Sequence, residues 1–167
     1  TIISFMFFLA FCIYLYWGID IIRINNREKE NKMFLGICIA MSIWAFSFAM
    51  LNSASDIKSA IFWRRISAIG WTSVYSLMLH FLILISNKKL NSKQTKLLGI
   101  LHLPAIINMY IFSFSNKLAI TQHNLIKIDL GWTSRSIGNG LDIFFRLYYI
   151  SYILMSILVV WIWQRRI

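Results

Sequence analysis

Three polar side chains repeat at helical spacing within an otherwise apolar stretch of the sequence. Thr72, Ser76 and His80 stand at positions i, i+4 and i+8, so they share one face of a helix. Polar groups are costly in hydrocarbon, and this face is therefore expected to point into a helix bundle. Ordinary hydrogen bonding between helices is the favoured interpretation. The alternative is that Ser76 and His80 bind a ligand or that His80 senses protons.

An acid and a base lie four residues apart farther along the chain. Asp142 precedes Arg146, which is the better orientation for a pair on one helix face, and Tyr149 follows. These three residues could line a cavity that binds a charged or polar ligand. The competing interpretation is that Arg146 extends to the lipid headgroups while the tyrosine belongs to an aromatic belt.

His102, Pro104 and Asn108 form a third polar group. Proline lacks a backbone donor and clashes with the carbonyl of Ile100, so a helix kink is expected here. Asn108 could line a cavity at the kink and contribute to ligand binding. It could equally satisfy the backbone that the proline frees.

Signatures of soluble enzymes are missing from the sequence. It contains no glycine-rich phosphate loop, no Cys-x-x-Cys and no Gly-x-Ser-x-Gly. Cys12 and Cys38 lie within apolar segments and are interpreted as small hydrophobic residues, since nothing near them has metal-ligand spacing. We therefore expect no catalytic residue, no metal and no cofactor in this segment.

The elements that position these residues are predicted to be membrane-spanning helices. The chain has 167 residues, of which 59% are hydrophobic and 14% charged. A soluble domain of this length could not bury so much apolar surface, and a β-barrel would show alternating strands instead of unbroken apolar runs. An all-α bundle of about five spans is predicted, at residues 2–22, 33–52, 66–86, 97–114 and 142–163.

Basic residues in the connections indicate the orientation in the membrane. Ten Lys and Arg residues fall on one side of the predicted spans and six on the other, with Arg146 inside the last span. Because the cytoplasmic side retains the excess, the N-terminus is predicted outside and the C-terminus inside the cell membrane. The same short loops explain the net charge of +11, so no nucleic-acid partner is expected.

Several stretches resemble a known family of sensory membrane domains. They are residues 41–46, 59–70, 79–81 and the aromatic, basic end at 161–166. Together they resemble the N-terminal seven-transmembrane region of some bacterial histidine kinases and diguanylate cyclases. The matching positions include Trp44, Trp63, Arg64, Gly70, His80 and Phe81.

This resemblance implies a multi-pass sensory input domain over residues 1–167. Its partners would be the lipid bilayer, an unknown small-molecule or peptide ligand, and a cytoplasmic kinase or cyclase module after the last span. A homodimer is also considered. Five spans instead of seven, with no output module, indicate a fragment truncated after the fifth span. The main alternative function is a transporter or permease fragment, although no repeat between halves is found. An intramembrane protease is disfavoured because no nucleophile is paired with a base.

Overall fold

The computed structural model describes residues 2–87, 92–115, 124–129, 131–135, 138 and 140–165. Its α-helices are α1 (Ile2–Ile24), α2 (Lys29–Ser53), α3 (Ile57–Ser86), α4 (Ser92–Leu97), α5 (Leu103–Met109) and α6 (Gly140–Gln164). Within these residues, α1, α2, α3 and α6 are long and apolar enough to span a membrane. The predicted fold class, an all-α membrane bundle, is confirmed.

Helix α3 begins nine residues earlier than the sequence pattern predicts. Asp56 caps its first turn, because its Oδ1 accepts the backbone N–H groups of Lys58 and Ser59 at 2.9 and 3.0 Å. The bond from the Ser59 N–H is the largest cause that lowers the pKa of Asp56. The prediction of a loop over residues 53–65 is therefore wrong after Asp56. At 30 residues, α3 is about 45 Å long and extends beyond a typical hydrocarbon core.

The fourth predicted span is an apolar stretch of changing helix type. A 3₁₀-helix covers Leu98–His102, α5 follows, and a π-helix covers Tyr110–Phe114. Pro104 lies in the first turn of α5, where its missing N–H costs least. The carbonyl of Ile100 accepts the N–H of Leu103 instead. The apolar stretch of residues 98–114 is shorter than the four long helices.

A short antiparallel hairpin occupies part of the region between α5 and α6. Strand β1 (Asn124–Ile128) pairs with β2 (Gly131–Arg135), so that Leu125 faces Ser134 and Lys127 faces Trp132 in the register. The predicted spans 97–114 and 142–163 leave no predicted element between them, so the hairpin was not foreseen. The signal was present in the β-branched residues Ile126 and Ile128 and in Gly131, whose φ is +134°.

Helix α3 lies at the centre of the packing. It contacts α2, α5, α6 and both the 3₁₀- and π-helical segments, while α1 packs on α2. The closest approach of α2 and α3 is at Gly70, where an added Cβ would collide with the carbonyl of Ala40 and lie 2.8 Å from the Cβ of Trp44. The polar face of α3 is therefore held against the elements that carry the other candidate residues.

Candidate functional site

The polar stripe of α3 faces the interior of the bundle, as its spacing predicts. Thr72 is 0% exposed and Ser76 is 1% exposed, while His80 is half-buried. The Thr72 hydroxyl donates to the carbonyl of Ala68 at 2.6 Å, and the Ser76 hydroxyl donates to the carbonyl of Ser73 at 3.0 Å. In this arrangement both hydroxyl protons are used within α3, and each oxygen can accept a hydrogen bond from a neighbouring element.

His102 completes a hydrogen-bond chain with the stripe. Its Nδ1 lies 3.0 Å from Ser76 Oγ, and its Nε2 lies 2.9 Å from His80 Nδ1. When the Ser76 hydroxyl donates to the carbonyl of Ser73, His102 Nδ1 carries the proton and its Nε2 accepts in turn from the Nδ1–H of His80. His80 Nε2 is then a buried acceptor, and it has no partner among the described residues. The arrangement can take up one proton, or one donor from a ligand, at this atom.

Two tyrosines attach α6 to this polar interior. The hydroxyl of Tyr148 donates to the carbonyl of Thr72 at 2.8 Å, and that of Tyr152 donates to the carbonyl of Leu101 at 2.6 Å. Their rings pack with Leu79 and Ala105 in one buried cluster. They are the buried residues among those described in α6. Helix α6 therefore adds two phenol–carbonyl bonds to the packing of Phe145 and Tyr149 against the bundle.

Asn108 is fully buried beside α3 but does not join the histidine chain. Its Nδ2 donates to the carbonyl of Pro104 at 2.8 Å, one turn back on α5. This carbonyl belongs to the proline and is not the Ile100 carbonyl that the proline frees. Its Oδ1 is buried without a partner among the described residues. The side chain thus keeps one unused acceptor inside the bundle.

Asp142, Arg146 and Tyr149 all lie in the first three turns of α6. Asp142 Oδ2 accepts the backbone N–H of Gly138 at 3.0 Å, near the start of α6. Arg146 is exposed on the surface of the chain. Tyr149 packs by its ring against Tyr75, with centroids 5.7 Å apart. Of the candidate residues, the structure brings together Ser76 and His80 through His102.

A second polar feature lies beneath the hairpin. A partly open cavity of about 230 Å³ lies there between α2, α3 and both strands, lined by Phe48, Leu51, Arg64, Leu125, Trp132 and Thr133. The hairpin is fixed over it by a bond from Trp132 Nε1 to the carbonyl of Ala54 at 2.9 Å. The sequence did not predict this cavity, because Arg64 precedes the predicted span 66–86 and the hairpin was not foreseen.

Arg65 has a different role from its neighbour. Its Nε donates to the carbonyl of Ser113 at 3.0 Å and its Nη2 to that of Phe114 at 3.3 Å. These carbonyls end the π-helix and would otherwise lack partners. Of these two successive arginines, Arg64 therefore lines the cavity and Arg65 caps the end of the π-helix.

The comparisons with known proteins agree with the membrane bundle. The sequence model of one family, described as the N-terminal 7TM region of histidine kinase, matches residues 1–167. No curated protein and no solved structure matches the chain. The match covers the polar stripe of α3, both arginines and the tyrosines of α6 alike. The chain therefore belongs to the family of N-terminal seven-transmembrane regions of histidine kinases.

Proposed function

We propose that this chain is the stimulus-receiving part of a bacterial histidine kinase and that α6 relays the signal to a cytoplasmic output module. The family is a membrane region of histidine kinases, which supports a kinase output over the cyclase alternative. The transporter alternative has no comparable support from the comparisons. The proposed relay depends on how α6 is coupled to the rest of the bundle.

The observation that carries this proposal is the sparse attachment of α6. Tyr148 and Tyr152 are buried, whereas the apolar side chains around them on α6 are largely exposed, Leu147 and Leu154 at 64% and 61%. A helix with two phenol–carbonyl bonds to the bundle, beside the packing of Phe145 and Tyr149, can change position while few polar contacts among the described residues break. Signal transfer needs such an element with two packed arrangements of similar free energy.

Signal transfer also needs contacts that differ between the two arrangements, and the polar interior of the bundle can provide them. Tyr148 bonds to the carbonyl of Thr72 on the same stripe as Ser76 and His80, and Tyr152 bonds to the carbonyl of Leu101, next to His102. A stimulus that alters the His80–His102 contact would therefore alter the surroundings of both α6 attachments. This proximity supports α6 as the output helix.

Replacing the phenols by phenyl rings tests the proposal. In the full-length kinase, Tyr148→Phe and Tyr152→Phe should each shift basal autophosphorylation several-fold, since each removes one attachment and keeps the ring. The matched control is Tyr16→Phe on α1, whose side chain is 66% exposed. If both α6 variants keep wild-type phosphorylation and wild-type membrane levels, α6 is not the coupled helix.

A further inference from the structure

The cavity beneath the hairpin contains a guanidinium with no anionic partner among the residues that the structure describes. The Arg64 side chain is largely enclosed, and its Nε is fully buried without a hydrogen-bond partner among the described residues. All six Asp and Glu residues of the chain are among those described, and none of them pairs with Arg64. A buried cation without a counter-charge is costly, so such a site favours an anion.

Aromatic rings hold the guanidinium in place. Its Cζ lies 5.3 Å from the ring centroid of Phe48 and 5.7 Å from that of Trp71. Cation–π contacts orient the planar group but do not neutralise its charge. The side chain is thus positioned in advance at the wall of the cavity, which is the condition for binding an anion without reorganisation.

The remaining walls restrict the chemistry of that anion. Phe48, Leu51, Leu125 and Trp132 contribute apolar side chains, while Thr133 alternates with Trp132 on β2, so its hydroxyl lies on the other face of the strand. A phosphate dianion needs more donors than one guanidinium provides, whereas a carboxylate fits the two-pronged guanidinium edge. The four apolar side chains can contact the hydrocarbon part of such a ligand. At about 230 Å³, the cavity has the volume of roughly seven water molecules.

From these observations we infer that the space beneath the hairpin binds a monocarboxylate with an apolar body, its carboxylate on Arg64 and its body against Trp132 and Leu125. The inference rests on the proposed sensory function and adds a ligand class to it. The carboxylate can come from water, as a small aromatic acid, or from the bilayer, as the head of a fatty acid. The guanidinium of Arg64 would bind a carboxylate from either source in the same way.

Quenching of tryptophan fluorescence tests the inference, because Trp132 lines the cavity. The full chain in nanodiscs of zwitterionic lipid is titrated with 4-nitrobenzoate and, in a second arm, with a brominated fatty acid. Saturable quenching by the first indicates a ligand from water, and saturable quenching by the second alone indicates one from the bilayer. The neutral controls, 4-nitrobenzamide and the methyl ester of the brominated acid, should not quench saturably.

Paired substitutions assign the binding to one arginine. Arg64→Lys keeps the charge but loses the planar edge, so the dissociation constant should rise about tenfold or more. Arg65→Lys is the matched control, because Arg65 bonds to the carbonyls of Ser113 and Phe114 and does not line the cavity. It should change the dissociation constant less than Arg64→Lys does. Circular dichroism checks that each variant is folded, and the neutral ligand controls test the site in the wild type.

Three results would overturn the inference. They are no saturable quenching in either arm, quenching that Arg64→Lys leaves unchanged, and displacement of 4-nitrobenzoate by inorganic phosphate at lower concentration than by benzoate. The sensory proposal is tested separately by the Tyr148 and Tyr152 variants. If those variants shift phosphorylation while no carboxylate binds, the ligand class is wrong and the coupling of α6 stands.

Discussion

The histidine pair can hold its mutual contact only while one proton lies between the two rings. His80 Nδ1 and His102 Nε2 are 2.9 Å apart, so one of them must donate and the other accept. A first added proton can go to His80 Nε2 without disturbing this bond. A second would place two N–H groups face to face. Full protonation of the pair therefore separates the rings, which makes the contact dependent on its protonation state.

Substitutions at the pair should be strongly non-additive. His80→Leu or His102→Leu alone leaves the partner's ring nitrogen buried without its bond, whereas the double substitution removes both groups. We expect the double variant to lose less stability than the sum of the singles, with a coupling of about 0.5–3 kcal/mol. Unfolding in mixed micelles measures all four proteins. Losses that simply add would show that the two rings are energetically independent.

Sequence periodicity was enough to identify one half of this site. The i, i+4, i+8 spacing placed Thr72, Ser76 and His80 on one interior face, since helical geometry alone fixes that relation. His102 lies 22 residues from His80 on another element, and no local pattern indicates that the two rings meet. Arg64 was missed for a different reason, because its surroundings depend on a hairpin some 60 residues away.

At the scale of elements, the α2–α3 contact is set by a single glycine. A Cβ at Gly70 would collide with the carbonyl of Ala40, a main-chain atom that cannot rotate away, and would lie 2.8 Å from the backbone N of Trp44. Helix backbones approach this closely only where small residues face each other. The register of the polar stripe against α2 therefore depends on this position.

Gly70→Ala should force α2 and α3 apart. We expect a loss of stability of about 1–3 kcal/mol from overpacking, despite the higher helix propensity of alanine. Gly36→Ala is the matched control, because an added Cβ there lies 3.7 Å from Leu77 Cδ2, an ordinary contact. Thermal unfolding in detergent compares the two. Equal melting temperatures would mean that the helices adjust at no cost.

Local signals predicted most helix positions but not the lengths and types of all elements. Unbroken apolar runs placed α1, α2 and α6 within a few residues of their observed ends. The start of α3 was missed because hydropathy falls before residue 66, although Asp56 is a typical N-cap residue. The changes of helix type at residues 98–114 depend on packing against α3 and on carbonyl capping by Arg65, which is a tertiary contact.

For the whole molecule, the basic residues predict which end of the bundle faces the cytoplasm. Four basic residues, Arg23, Arg27, Lys29 and Lys32, lie in the α1–α2 turn and the helix ends beside it, whereas the α2–α3 turn and the hairpin lie at the opposite end of α2. We propose that the hairpin end is outside. This orientation places the Arg64 cavity toward the exterior and the end of α6 toward the cytoplasm.

Cysteine labelling in intact cells tests this orientation. In a chain with Cys12 and Cys38 replaced by alanine, Ser55→Cys should react with a membrane-impermeant maleimide and Arg27→Cys should react only after lysis. Both positions are exposed, so access to water does not differ within the protein. The opposite labelling pattern would invert the proposed topology and place the cavity inside the cell.

Arg64 and Arg65 are successive residues of α3, so their side chains leave the helix about 100° apart around its axis. One reaches the hairpin cavity, and the other bonds to the carbonyls that end the π-helix. A rotation of α3 that carries Arg64 deeper into the cavity must therefore carry Arg65 along the same arc, relative to Ser113 and Phe114. Filling of the cavity and capping of the π-helix end therefore both depend on the same rotation of α3.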